Sequence, residues 1–207
     1  MPDMKKLIWG SLAAVLLTLL SIRYWDLPVA EYVLEHLGRR FLFGGRVSAM
    51  PDLLLVTVAT VSAICWAGYF ILSRKRITDR RTLFFKILGT SLPIAFILKN
   101  ILKWVFGRVD TRVWLAHHQD LSFHWFQGGT HFSGFPSGHM LVFTTIFLAL
   151  WRFLPRARNL FLLGWLSLAA ALLLTEYHFL GDVIAGAFLG YLVHFGTSRL
   201  YSKTSFP

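Results

Sequence analysis

Phe135-Pro136-Ser137-Gly138-His139 runs directly into Met140-Leu141-Val142-Phe143-Thr144-Thr145-Ile146-Phe147-Leu148-Ala149-Leu150-Trp151. A small polar cluster thus opens an apolar run that lasts until Pro155. Such a run is a helix in lipid, and ionisable groups at its mouth default to function. Five other apolar runs surround it, at 5–25, 52–73, 82–103, 159–177 and 183–200. Most reach the ~17–25 residues that a spanning helix needs, whereas 139–154 is short. The expected fold is all-α: a six-transmembrane-helix bundle in a single domain, 1–207.

Composition agrees. The chain is 56% hydrophobic and carries 19 Phe and 8 Trp, more apolar surface than a soluble domain of 207 residues could cover. The net charge of +11 does not indicate nucleic acid as a partner, because the basic residues lie between apolar runs. The lone cysteine, Cys65, sits inside such a run and excludes a disulfide framework. Lys5 and Lys6 precede the first run, but no small-residue cleavage pattern follows, so it is expected to be a membrane helix rather than a signal peptide.

Lys5, Lys6, Arg74, Lys75, Arg76, Arg80, Arg81, Arg152, Arg156, Arg158, Arg199 and Lys203 all fall on one side of a six-helix arrangement. The positive-inside rule makes that side cytoplasmic. Arg23, Arg39, Arg40 and Arg46 in the first connection run against it, accompanied by Asp26, Glu31 and Glu35. Within that connection Val29, Tyr32, Val33, His36 and Leu37 share helical spacing, which predicts an interfacial helix over 26–38. The extracytoplasmic side then receives the ends of the third and fifth runs and the functional loop 104–138.

Three polar clusters converge there. His178 and Asp182 are four apart and share a helix face, so the carboxylate can fix the imidazole tautomer and leave the other nitrogen as nucleophile or base. Ser137 can cap a helix whose free N–H groups suit phosphate, Gly138 permits close approach of an oxyanion, and His139 can donate a proton. Lys103 and Arg108 can neutralise phosphate charge. Taken alone, each cluster also has a structural explanation: a helix-end pair, an ordinary N-cap, a snorkelling lysine with an interfacial arginine.

The order basic segment, Pro-Ser-Gly-His, His-x-x-x-Asp resembles the type 2 phosphatidic acid phosphatase superfamily. The resemblance covers about 99–190 and includes His178-Phe179-Leu180-Gly181-Asp182-Val183-Ile184-Ala185-Gly186. It implies an integral membrane lipid phosphatase that needs no metal or other cofactor. By the resemblance, His178 is the nucleophile that becomes phosphohistidine, Asp182 its orienting partner, and His139 the acid and then the base. Lys103, Arg108, Ser137 and Gly138 form the phosphate cradle.

Two positions depart from the family pattern. Counting from Lys103, the usual later Arg-Pro falls on Asp110-Thr111, and the arginine six before the third-motif histidine is Leu172. Arg112, or Lys99 on the face of Lys103, would have to supply the missing charge, and Arg112 is the expected one because its fork fits phosphate. The connection 109–134, rich in aromatics and histidines, is either a substrate-selecting loop or an interfacial belt.

The expected partners are a lipid phosphate and the bilayer, with no oligomeric state indicated. The expected setting is a bacterial inner membrane with the site facing the periplasm. Candidate substrates are undecaprenyl pyrophosphate, phosphatidylglycerophosphate, phosphatidic acid and lipid A. Transfer of the phosphoryl group to another lipid, and non-catalytic binding or transport of lipid phosphates, are the alternatives.

Overall fold

The computed structural model describes residues 4–37, 50–118 and 120–204. All regular elements in these residues are helical: α1 (Met4–Leu20), α2 (Asp26–Leu37), α3 (Met50–Arg74), α4 (Arg80–Phe106), α5 (Thr111–His117), α6 (Gly138–Phe153), α7 (Arg158–Leu174) and α8 (Leu180–Thr204). Arg39, Arg40 and Arg46, which counted against the expected orientation, lie outside the described residues.

α4, α6 and α8 pack on one another and form the inner layer; α3 lies outside α4, α1 outside α8 and α7 outside α6. Burial follows this division. In their apolar windows α4 and α8 are 44% buried, but α7 is only 6% buried. The outer helices expose Trp9, Leu12, Leu16, Leu53, Ile64, Leu160 and Leu163. A continuous apolar exterior of this kind is matched by hydrocarbon rather than water. The protein is an integral membrane protein.

Among the described residues, five helical segments are long and apolar enough to cross a bilayer: Met4–Leu37, Leu53–Arg74, Arg80–Phe106, Pro155–Leu174 and Leu180–Tyr201. α6, the expected sixth, has 16 residues, about 24 Å at 1.5 Å per residue, and falls short of the ~30 Å hydrocarbon core. It is nonetheless central. Met140, Leu141, Val142, Thr144, Thr145 and Ala149 are buried, and α4, α7 and α8 surround it.

The helix expected at 26–38 is present as α2, but it is not a separate element. α1 continues into it through a wide π turn at Ser21–Trp25, so the first helical segment runs unbroken from Met4 to Leu37. Gly186 and Gly190 bring α8 against α6. A side chain at Gly186 would strike the Ser137 carbonyl, and one at Gly190 the Leu141 carbonyl. This contact is what small-xxx-small spacing allows in membranes.

Candidate functional site

α4 ends at Gly107, whose left-handed φ of 52° lets its N–H cap the Lys103 carbonyl at 3.0 Å. The chain then turns so that Arg108 O accepts from Gly134 N at 2.9 Å, fixing the loop that leads into α6. Ser137 N donates to Asp182 O at 3.0 Å, and Ser137 Oγ accepts from Met140 N at 3.3 Å as the N-cap of α6. These few main-chain bonds draw the three clusters together from points as distant in sequence as Arg108 and Asp182.

His178 and Asp182 are almost fully buried. Their closest approach, Nδ1 to Oδ2, is 3.8 Å, which is electrostatic contact and too long for a hydrogen bond. Asp182 Oδ2 instead accepts Phe179 N at 3.1 Å, and Oδ1 accepts Arg108 Nη1 at 2.6 Å. Burial lowers the pKa of His178 from its ordinary value and the nearby carboxylate opposes this, leaving a net shift toward the neutral ring. The Tyr177 ring stands edge-on to both imidazoles, with centroids 5.3 Å from His139 and 5.1 Å from His178.

Arg108 is 1% exposed and is held between two carboxylates, Asp182 at 2.6 Å and Asp26 at 2.7 Å. Burial disfavours its charge, but the paired acids outweigh burial and raise its pKa. Both terminal nitrogens of the fork are engaged by these carboxylates. Asp26 was not legible as part of the site; spacing placed it only in a surface helix. It accepts from Arg108, from Ser21 Oγ at 2.9 Å and from Gly181 N at 2.7 Å. The π turn before it is the local device that presents it, as π turns at functional sites often do.

The two candidates for the missing cation are placed differently. Arg112 donates Nε and Nη2 to the Thr175 carbonyl, at 3.2 and 2.6 Å, and lies over the Tyr177 ring at 5.4 Å. Its fork ties α5 to the α7–α8 connection. The Lys99 stem reaches the start of α6 instead, while its Nζ donates to Asn100 Oδ1 at 2.8 Å: a Cβ built on Gly138 would lie 2.6 Å from Lys99 Cδ and 3.7 Å from Lys103 Cε. Gly138 leaves room for the Lys99 stem beside the start of α6, whereas Lys103 Cε stands at ordinary contact distance. Leu172, at the family's arginine position, packs in a core with Met140 and Val183.

Glu176 is a further group that spacing alone did not assign. It is 3% exposed, has a left-handed φ of 54°, and its Oε2 has no hydrogen-bond partner among the described residues. Burial raises its pKa and Arg112 opposes this. Among the described residues no group of three or more His, Cys, Asp or Glu side chains is arranged to hold a metal.

The family model described as the PAP2 superfamily matches residues 84–206, more than half of the chain and all of this site except Asp26. The chain belongs to the PAP2 superfamily. It is similar to a lipid A 1-phosphatase of Rhizobium johnstonii, 29% identical over 179 residues, covering 83% of this chain and 71% of that protein. It is also similar to a lipid A 1-phosphatase of Rhizobium etli, 29% identical over 144 residues, covering 66% of this chain and 60% of that protein. No solved structure matches the chain. The PAP2 match makes the chain a membrane lipid phosphatase of that superfamily. It also spans the three convergent clusters and leaves out α1 and α2, so the carboxylate that Asp26 brings to Arg108 comes from outside the matched segment.

Proposed function

We propose that this PAP2 protein hydrolyses a lipid phosphomonoester or pyrophosphate at the extracytoplasmic face of a bacterial inner membrane, through a phosphohistidine intermediate. The observation that carries this is the Ser137 N to Asp182 O bond of 3.0 Å, which sets the Ser-Gly-His helix start beside the His178–Asp182 pair. One phosphoryl group can then meet nucleophile, acid and N–H dipoles together.

In the proposed reaction His178 Nε2 attacks phosphorus, and the bond from phosphorus to the lipid oxygen breaks. His139 gives its proton to that oxygen. Asp182, opposite Nδ1, stabilises the positive charge that forms on the ring. Water then attacks phosphorus, His139 takes its proton, the P–N bond breaks and inorganic phosphate leaves. Lys99, Lys103 and the N–H groups at Gly138 and His139 balance the negative charge on the three equatorial oxygens. Arg108, held by Asp26, keeps Asp182 in place. Arg112, assigned to the cradle by sequence, acts here by holding the Tyr177 turn.

The name of the two relatives puts a phosphate of lipid A first among the substrates to assay. Purified protein should release inorganic phosphate from lipid A, phosphatidic acid, phosphatidylglycerophosphate or undecaprenyl pyrophosphate. Release from none of these, with or without a lipid acceptor, would overturn the proposal. Appearance of the phosphate on the acceptor instead would make the protein a phosphotransferase. For orientation, Asp120→Cys should react with an impermeant thiol reagent in intact cells and Thr78→Cys should not. The reverse pattern would move the site to the cytoplasmic leaflet.

A further inference from the structure

A cavity of about 560 Å³ opens at the other end of the bundle, lined by Tyr69 and Ser73 of α3, Arg80, Thr82, Leu83 and Lys86 of α4, and Arg152 and Phe153 of α6. α4 has 27 residues, about 40 Å at 1.5 Å per residue, with Arg80 at its start and Lys103 in its last turn. The cavity is therefore a bilayer's thickness away from the phosphoryl-transfer site and belongs to the opposite leaflet.

Its charge is mostly positive, three cations to one acid. The guanidinium carbons of Arg80 and Arg152 lie 5.6 and 5.3 Å from the centroid of the same Phe153 ring. Arg80 Nη2 also donates to the Arg152 carbonyl at 2.5 Å. Lys86 Nζ lies 4.5 Å from the Tyr201 ring centroid and 5.6 Å from that of Tyr69. Aromatic faces thus hold three cations in one concavity. The acid in the wall, Asp79, accepts from Arg81 N at 2.9 Å and Thr82 N at 3.1 Å. It is the N-cap of α4, and those N–H groups hold its carboxyl below the usual range.

Beside this cavity lies a second, apolar one of about 400 Å³, lined by Phe84, Phe85 and Leu154. The two share Asp79, Arg80 and Phe153. A cationic recess continuous with an apolar groove fits an amphipathic anion better than a free one.

We propose that the paired cavities bind an anionic phospholipid of the leaflet opposite the catalytic site. Arg80, Lys86 and Arg152 hold its phosphate, and Phe84, Phe85 and Leu154 hold the upper part of its acyl chains. The ligand is not the substrate of the phosphatase, since its headgroup lies at the wrong face of the membrane. It would anchor α3, α4 and α6 at the end of the bundle remote from the chemistry.

The test is lipid titration of the purified full chain in detergent, read by native mass spectrometry and by thermal unfolding. Phosphatidylglycerol, phosphatidylcholine and inorganic phosphate are the three probes. Phosphatidylglycerol should bind and raise the unfolding temperature, and the other two should not. Arg80→Gln with Arg152→Gln should weaken phosphatidylglycerol binding by roughly 30-fold, two surface cations' worth. Lys86→Gln, which leaves the Arg80 to Arg152 contact intact, should weaken it by about fivefold. Arg74→Gln with Lys75→Gln removes the same charge from the same end and should change little. Equal loss in both double variants would show only diffuse attraction and overturn the site. Stabilisation by inorganic phosphate matching that by the lipid would overturn the lipid assignment, and an unchanged Lys86→Gln would overturn the recess.

Discussion

Asp26 and Arg108 meet at 2.7 Å in a nearly solvent-free interior, joining the first helical segment to the loop after α4. Arg108 passes the restraint on to Asp182, and Asp182 faces His178. The pair is thus joined to His178 through Asp182.

Removing Asp26 leaves Arg108 paired with Asp182 but takes the acceptor from Arg108 Nη2, Ser21 Oγ and Gly181 N. Asp26→Ala should therefore destabilise the protein by about 1–3 kcal/mol. Asp26→Asn, which keeps the shape, should lower kcat with little change in KM. Asp26→Leu with Arg108→Met should recover neither stability nor turnover, because it leaves the buried Asp182 carboxylate without its guanidinium. Thermal unfolding in detergent and phosphate-release kinetics distinguish these outcomes. Wild-type kcat in Asp26→Asn would show that the pair serves folding alone.

His178 should carry the phosphoryl group. Rapid quench with a phosphorus-labelled substrate should trap acid-labile, base-stable label on the wild type and none on His178→Ala. His139→Ala should slow turnover by roughly 10²–10⁴-fold, less for leaving groups of low pKa. Under substrates with good leaving groups, that variant should accumulate the labelled intermediate, because the second step still lacks its base. Equal losses for good and poor leaving groups would remove His139 from the acid role.

Lys99 and Arg112 should separate cleanly. Lys99 lies at Gly138, so Lys99→Ala should cost roughly 10²–10³-fold in kcat, the usual loss for one donor to a developing anion. Arg112→Ala frees the Thr175 carbonyl and loosens the Tyr177 turn, so it should lower the unfolding temperature more than it lowers kcat. The opposite ranking in a parallel assay of the two variants would return Arg112 to the cradle.

The pH dependence has a definite sign. Burial lowers the pKa of His178 from its ordinary value of 6.5, so the neutral, nucleophilic ring persists below pH 6.5. The acid limb of kcat/KM assigned to this residue should fall below that pH. Stability is linked in the same direction: the unfolded chain takes up the proton first as pH falls. The contribution is complete above pH 6.5 and is lost on acidification through the lower folded value. A pH–rate profile of the wild type, with His139→Gln to identify the other limb, checks the sign. An acid limb of this residue above pH 6.5 would contradict it.

The helices were legible because lipid leaves few alternatives to long apolar runs, and α6 showed its shortness in Pro155. The convergence of Ser137, Gly138, His139, His178 and Asp182 was legible because they lie at helix mouths with short local spacing. Asp26 was not, since no periodicity connects it to Arg108 across the intervening helices, and they meet because the first helical segment and α4 both pack on α8. The weighing of Lys99 against Arg112 depends on contacts that spacing does not show. The guanidinium fork suits phosphate, but a carbonyl at Thr175 claims it, while the missing side chain at Gly138 admits a lysine from a turn deeper.

The brace on Asp182 also sets an order of events during biogenesis. α1, α2 and α4 are made before α8, yet α1 and α4 each pack on α8. Asp26, Arg108 and Asp182 therefore close into one cluster only when the last helix docks. On the proposed mechanism, nascent chains caught midway through insertion are catalytically silent.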